Sequence, residues 1–204
     1  MLLATFPAGA QPWSLGVGTG AFKFGDFALR TIRAGNEGGG GPVTRTRLTA
    51  ATRPGLTVDF QRDFNDRFAL RLQGTFTESP LTVRPQSGRG VILDAGDVDV
   101  TTLSLPLLIH LNPHGRFKVH IQGGPAYAIY HLNQPALETT RGRFGAMAGA
   151  GVVWWWSSRF AVEGEIIDIV TSSPLRESDL VGAGTLRIPR PQNEHATLGI
   201  RWKF

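Results

Sequence analysis

The chain contains no cysteine. That absence excludes a disulfide scaffold, a thiolate zinc site and a thiol nucleophile. It also lacks a long hydrophobic run. A membrane-spanning helix needs about 20 mostly apolar residues, and the longest apolar stretch, residues 145–156, is shorter and rich in glycine. A bundle of membrane helices is therefore excluded. Charged residues make up only 18% of the chain against 41% hydrophobic ones, which excludes a disordered polymer. The 204 residues are enough for one large domain with a packed core. Two things are in excess. The 26 glycines exceed the usual share, which is about 7%. The net charge of +5, carried mainly by arginine, suggests an acidic partner such as nucleic acid, lipid phosphate or lipopolysaccharide.

Residues 1–10 combine a short apolar run, the helix breaker Pro7 and the small-x-small triplet Ala8-Gly-Ala10. This reads as the remnant of a secretory signal peptide without its basic leading segment. The domain proper is expected over residues 11–204.

From Trp13 onward the hydrophobic period is two, and no helical stretch is found. Eight segments alternate. The first carries Trp13, Leu15 and Val17, the second Leu56, Val58 and Phe60, and the third Phe68, Leu70 and Leu72. The fourth carries Leu103, Leu105 and Leu107, and the fifth Phe117, Val119 and Ile121. The sixth, residues 144–156, is apolar on both faces. The seventh carries Phe160, Val162 and Ile166, and the eighth Leu198, Ile200, Trp202 and Phe204. Each is a strand candidate with one apolar face. The connections alternate too: tight turns at 63–67, 112–115 and 157–158, against long polar segments at 25–46, 78–97, 133–143 and 171–194. The run Gly38-Gly-Gly-Gly41 in the first of these reads as loop. Short turns at one end and long loops at the other mark an all-β, eight-stranded antiparallel up-and-down transmembrane β-barrel.

A soluble lipocalin-like barrel has the same alternation with the apolar face turned inward. Three features favour the membrane. All five tryptophans, Trp13, Trp154, Trp155, Trp156 and Trp202, fall at the short-turn end, as an aromatic girdle at a membrane–water interface would. Phe64, Phe68, Phe117, Phe160 and Phe204 share that level, and Phe76, Tyr127, Tyr130 and Phe144 are candidates for the opposite rim. The polar face gathers Asp59, Arg71, Lys118, His120, Glu163, Glu165, Arg201 and Lys203, with Gln61, Gln73 and Gln122 among them. Three carboxylates against four full cations suit an ion-paired lumen, since an eight-stranded barrel is just wide enough for side chains to fill. Glycines on this face leave room for them.

The chain then ends on Thr197, Gly199, Trp202 and Phe204 in the order polar-x-Gly-x-x-aromatic-x-aromatic. This resembles the insertion signal of bacterial outer-membrane barrels, which implies recognition by the barrel assembly machinery. With Leu105-Pro-Leu-Leu-Ile109, Gln122-Gly-Gly-Pro-Ala-Tyr127, Gly149-Ala-Gly-Val152 and Phe160-Ala-Val-Glu-Gly-Glu165, the chain resembles small outer-membrane barrels of the opacity-protein/OmpA-like superfamily. The resemblance covers the chain from Trp13 and implies a fold and a location. It implies no single activity, because that superfamily is functionally diverse.

Candidate chemistry is sparse. Lipid A deacylases of this membrane carry a His-x-Ser pair, and none of His110, His114, His120, His131 or His195 has serine two places on. A palmitoyltransferase would need loop-borne His, Asp and Ser; His131 and Asp179 exist without a link between them. His110 and His120 are expected one diagonal apart on a hairpin with no carboxylate to complete a metal site. Gly16-Val-Gly-Thr-Gly20 has no following helix, so it is no phosphate cradle. No enzyme, cofactor or metal is expected. The loop arginines Arg30, Arg33, Arg45, Arg84, Arg89, Arg141, Arg176, Arg187 and Arg190 suit lipopolysaccharide phosphate. They are too dispersed, and too poor in stacking aromatics, for nucleic acid. The reading is a monomeric barrel of the bacterial outer membrane with a filled lumen and a structural or surface-interaction role. A narrow pore for small solutes is the alternative.

Overall fold

The computed structural model describes residues 13–33, 43–85, 93–112, 114–134, 137–175, 185–187, 189–190 and 192–204. The signal-like residues 1–10 and the Gly38–Gly41 run lie outside the described residues. Among the described residues, twelve strands form one antiparallel sheet that closes into eight staves. The first stave is β1 (Trp13–Phe24) and β2 (Asp26–Arg33); the second is β3 (Val43–Ala50) and β4 (Arg53–Asp63). β5 (Phe68–Pro85) is the third, and β6 (Leu93–Ser104) with β7 (Leu107–His110) the fourth. β8 (Phe117–Gln134), β9 (Leu137–Trp155) and β10 (Phe160–Thr171) follow, and β11 (Thr185–Arg187) with β12 (Gln192–Lys203) completes the eighth. Each stave pairs with its sequence neighbours, and β12 pairs with β1 from Ser14↔Lys203 to Phe24↔Asn193. Ring closure leaves no free sheet edge along this seam.

The turns at one rim follow from local polar chemistry. Asn65 Oδ1 accepts the N–H groups of Arg67 and Phe68, and Ser157 Oγ accepts those of Arg159 and Phe160. Asn112 spans its turn by donating to Phe117 O while accepting from Val119 N, and Gly115 takes a positive φ of 96° there. Pro106 has no N–H to donate, and it separates β6 from β7 without changing their register on β5.

At the other rim the structure corrects the expectation of long loops. Residues 26–33, 43–50, 78–85, 93–97 and 137–143 are strand, paired well beyond the predicted segments. The reason lies on their inner face. Phe22, Phe24, Phe27, Leu48, Leu81, Val98, Val100, Tyr130, Leu132 and Leu175 form a buried apolar cluster inside this outer extension. Ile167 and Ile169 join Met147 and Ala126 in a second cluster. The lumen therefore has two storeys, polar at the short-turn end and apolar towards the long hairpins. Burying these side chains gives the extensions the packing that a polar loop would lack.

β10 stops at Thr171, whereas β9 beside it begins at Leu137 and so rises further. Residues 172–175 leave the wall there, with Ser173, Pro174 and Leu175 buried. Arg143 Nε donates to Ser173 O at 2.7 Å, Arg141 Nη1 donates to Pro174 O at 2.8 Å, and Ser173 Oγ donates to Phe27 O at 3.3 Å on the first stave, two places round the ring from β10. Leu175 inserts into the apolar cluster.

Outside, large apolar side chains are exposed all round the barrel, among them Val17, Val58, Leu72, Leu103, Ile121, Val152, Ile166 and Ile200. Ile166 is 70% exposed and Phe144 81%. A soluble monomer rarely exposes so continuous an apolar surface. Over the half of the barrel nearest the short turns, the apolar face of each stave points away from the bore, the reverse of the lipocalin arrangement.

Candidate functional site

The bore is crossed by charge. Arg71 on β5 and the Glu163–Glu165 pair on β10 stand on the third and seventh staves, diametrically opposite in a ring of eight. Arg71 Nη2 donates to Glu163 Oε1 at 2.6 Å, and its Nη1 bonds Glu165 Oε1. Arg201 on β12 joins two further staves: Nη2 lies 2.7 Å from Asp59 Oδ1 and 2.5 Å from Glu163 Oε2. His120 Nε2 on β8 is 3.0 Å from Glu165 Oε1. Both arginines are 1% exposed.

Neutral partners complete the arrangement. Gln61 Oε1 accepts from Arg71 Nε and Nη2, Gln122 Nε2 donates to Glu165 Oε1 at 3.2 Å, and Arg201 Nη1 donates to Ser14 Oγ at 3.0 Å. Buried charges are tolerated only when paired and hydrogen-bonded in this way. Glycine makes the space. A Cβ at Gly151 would stand 2.6 Å from His120 Cε1 and 2.9 Å from Glu165 Cγ, and one at Gly16 would collide with the Asp59 carboxylate.

The cluster thus brings together Asp59, Arg71, His120, Glu163, Glu165 and Arg201 of the predicted lumen residues. Lys118 and Lys203 are corrections. Both face inward but stand at the rim, half-buried. Lys118 joins no ion pair among the described residues, and Lys203 Nζ lies 3.7 Å from Asp63 Oδ2 and over the Trp155 ring. Their position near the strand ends puts them below the layer where the carboxylates meet. Ser14 was missed, although its parity on β1, opposite to Leu15, could have placed it. His110 and His120 are direct cross-strand partners, not diagonal ones, because the turn at residues 111–116 sets that register. Their ring centroids lie 5.9 Å apart.

His120, Glu163 and Glu165 offer ligand atoms within 4.8 Å of one another, a carboxylate set that the hairpin alone could not supply. Arg71 already occupies both carboxylates, so this trio is an ion-pair site in composition.

Of the girdle tryptophans, Trp154, Trp156 and Trp202 are exposed on the outer wall, and Trp13 stacks on Phe60 at 4.7 Å. Trp155 turns inward instead, since neighbours along a strand alternate faces. Tyr130 is likewise no rim residue. It is fully buried, bonded to Thr171 Oγ1 at 2.8 Å and accepting from Asn193 Nδ2 at 3.0 Å. Phe76, Tyr127 and Phe144 do hold the opposite rim, the last two in ring contact at 4.7 Å. In the terminal strand Thr197 and Gly199 face inward, while Trp202 and Phe204 face outward and touch each other at 5.2 Å. Phe204 N donates to Trp13 O at 3.0 Å.

A closed eight-stave barrel, apolar outside, girdled by aromatics and ion-paired within, defines the small outer-membrane β-barrel, the class seated in the bacterial outer membrane. Solved structures agree. The chain is similar to the outer membrane protein OprG of Pseudomonas aeruginosa, with a TM-score of 0.68 at 12% identity over 96% of both chains. It is similar to Neisserial surface protein A, with a TM-score of 0.56 at 8% identity over 95% of this chain and 97% of that one. AlkL, determined in lipid bilayers, aligns with a TM-score of 0.56 at 12% identity over 100% of this chain and 97% of that one. No protein-family model and no curated protein matches the sequence.

Proposed function

We propose that this chain is a monomeric outer-membrane barrel with a closed lumen, serving a structural or surface-interaction role without catalytic activity. One observation carries the reading: the Arg71–Glu163/Glu165 bridge spans the bore between opposite staves. Above it the apolar storey around Phe22, Phe27 and Tyr130 fills the same bore a second time. An open pore needs a hydrated path, and side chains stand across the bore in both storeys. Recordings in planar bilayers test this directly. Wild-type protein should give no sustained conductance steps; a steady ohmic current would replace the reading with a narrow small-solute pore.

The outer extension suggests what the surface meets. Arg47 and Arg84 are exposed and directly opposite one another on β3 and β5, with exposed Arg45 two residues along. Like charges opposite each other across a ladder are unfavourable without a counter-charge. Lipopolysaccharide phosphate supplies that counter-charge in the outer leaflet, and arginine forks suit it. The double variant R47E/R84E should bind lipopolysaccharide-containing vesicles more weakly than wild type; equal binding would remove this contact. The terminal strand is proposed to be read by the barrel assembly machinery. Deleting Phe204 should then reduce heat-modifiable barrel in the outer-membrane fraction, and unchanged assembly would count against it.

A further inference from the structure

The permanently charged groups of the lumen's polar storey do not balance. Asp59, Glu163 and Glu165 bring three carboxylates to the cluster, whereas Arg71 and Arg201 bring two guanidinium groups, and His120, 3.0 Å from Glu165 Oε1, adds a third positive charge only when protonated. With His120 neutral, one unit of negative charge is left in a layer that is almost wholly buried. The bonding is also lopsided. The guanidinium groups take Asp59 Oδ1, both oxygens of Glu163, and Glu165 Oε1. Asp59 Oδ2 accepts none of these bonds, and Glu165 Oε2 receives only a long one of 3.4 Å from Gln73 Nε2.

Those two carboxylates line a void of about 10 Å³, room for one water-sized sphere. Glu163 and Thr197 line it too, with Thr57 and the glycines Gly16, Gly18 and Gly199, whose missing side chains leave it open. Thr57 is 4% exposed, and its Oγ1 has no hydrogen-bond partner. An unpartnered buried hydroxyl is costly, and this one borders the void. The site therefore combines one surplus negative charge, only oxygen donors, and space for a single small sphere.

We propose that this void is a binding site for one small monovalent cation of sodium size, held by Asp59, Glu165 and Thr57 Oγ1. A hard cation prefers such oxygen donors. A single positive charge neutralises the layer, whereas a divalent ion would overshoot it. The arginines occupy the Glu163 side of the cluster, which leaves the Thr57 side for the ion. The site goes beyond the closed-lumen reading and does not depend on it: conductance reports on the bore, cation-specific stability on the void.

The test uses the folded barrel in neutral detergent, with thermal unfolding followed by loss of heat-modifiable gel mobility. Sodium chloride and choline chloride are titrated at equal ionic strength, choline being too large for the void. A ligand that binds only the folded state raises the midpoint in proportion to the logarithm of its concentration above its dissociation constant. Sodium should raise the midpoint and choline should not. Thr57→Val keeps the side-chain shape and should abolish the sodium-specific rise while still giving a heat-modifiable barrel. Asp59→Asn removes the surplus charge and should abolish it too. Identical midpoints in sodium and choline would overturn the proposal and leave the void to a water molecule. A sodium response that survives in Thr57→Val would overturn the assignment to this void.

Discussion

At the scale of single residues, the lumen divides into groups that are tied across the bore and groups that are not. Arg71→Met should destabilise the barrel by about 3–5 kcal/mol, because it strands the buried carboxylates of Glu163 and Glu165. Lys203→Ala should cost no more than about 1 kcal/mol, because its contact to Asp63 lies at the partly exposed rim. Urea unfolding in lipid vesicles, followed by gel mobility, separates the two; equal losses would refute the crossbar. Gly151→Ala should cost about 1–3 kcal/mol by the same measurement, since the methyl group meets His120 and Glu165. Much of this was legible in advance. Parity alone places Asp59, Arg71, His120, Glu163 and Arg201 on one face, because a strand alternates faces without exception unless it bulges. What parity cannot supply is the partner. Arg71 meets Glu163 and Glu165 through closure of the ring, 92 and 94 residues away in sequence. No local pattern records that distance.

At the scale of elements, the short turns and the long hairpins obey different rules. Ser157 Oγ accepts two backbone N–H groups in the turn between β9 and β10. Ser157→Ala should therefore cost about 1 kcal/mol in the same unfolding assay, a modest loss in keeping with a solvent-facing turn. The long hairpins are hard to read from sequence because charged residues stand on their outer face, as along β3 with Arg45 and Arg47. In the membrane band a stave shows an apolar outer face and a polar inner one. In the extension the two are exchanged, with Leu48 and Ala50 buried inside and Arg45 and Arg47 exposed. A reading that follows one apolar face along the chain loses the strand at that crossover. The period of two survives it, but the sense of the alternation changes from lipid-out to core-in, and the glycine run at residues 38–41 hides the remainder.

At the scale of the whole molecule, the outer wall is the surface that meets lipid. Tryptophan fluorescence in bilayers of brominated lipid should report its orientation. A variant keeping Trp202 or Trp154 alone should be strongly quenched, and one keeping Trp155 alone should be quenched least, because Trp155 lies inside the rim with Lys203 over its ring. Equal quenching of all three would contradict the inward placement.

The seam between the first and last staves has a topological consequence. Trp13 and Phe204 share a backbone hydrogen bond, so the two ends of the barrel sequence already meet on one rim. A short linker between them, with the chain reopened in the turn at residues 111–116, would produce a circular permutant in which every ladder is retained. In such a molecule Phe204 is no longer terminal, although its place in the wall is unchanged. Permutation would thus uncouple where the aromatic sits in the fold from when it emerges during synthesis, two properties that no point mutation can separate.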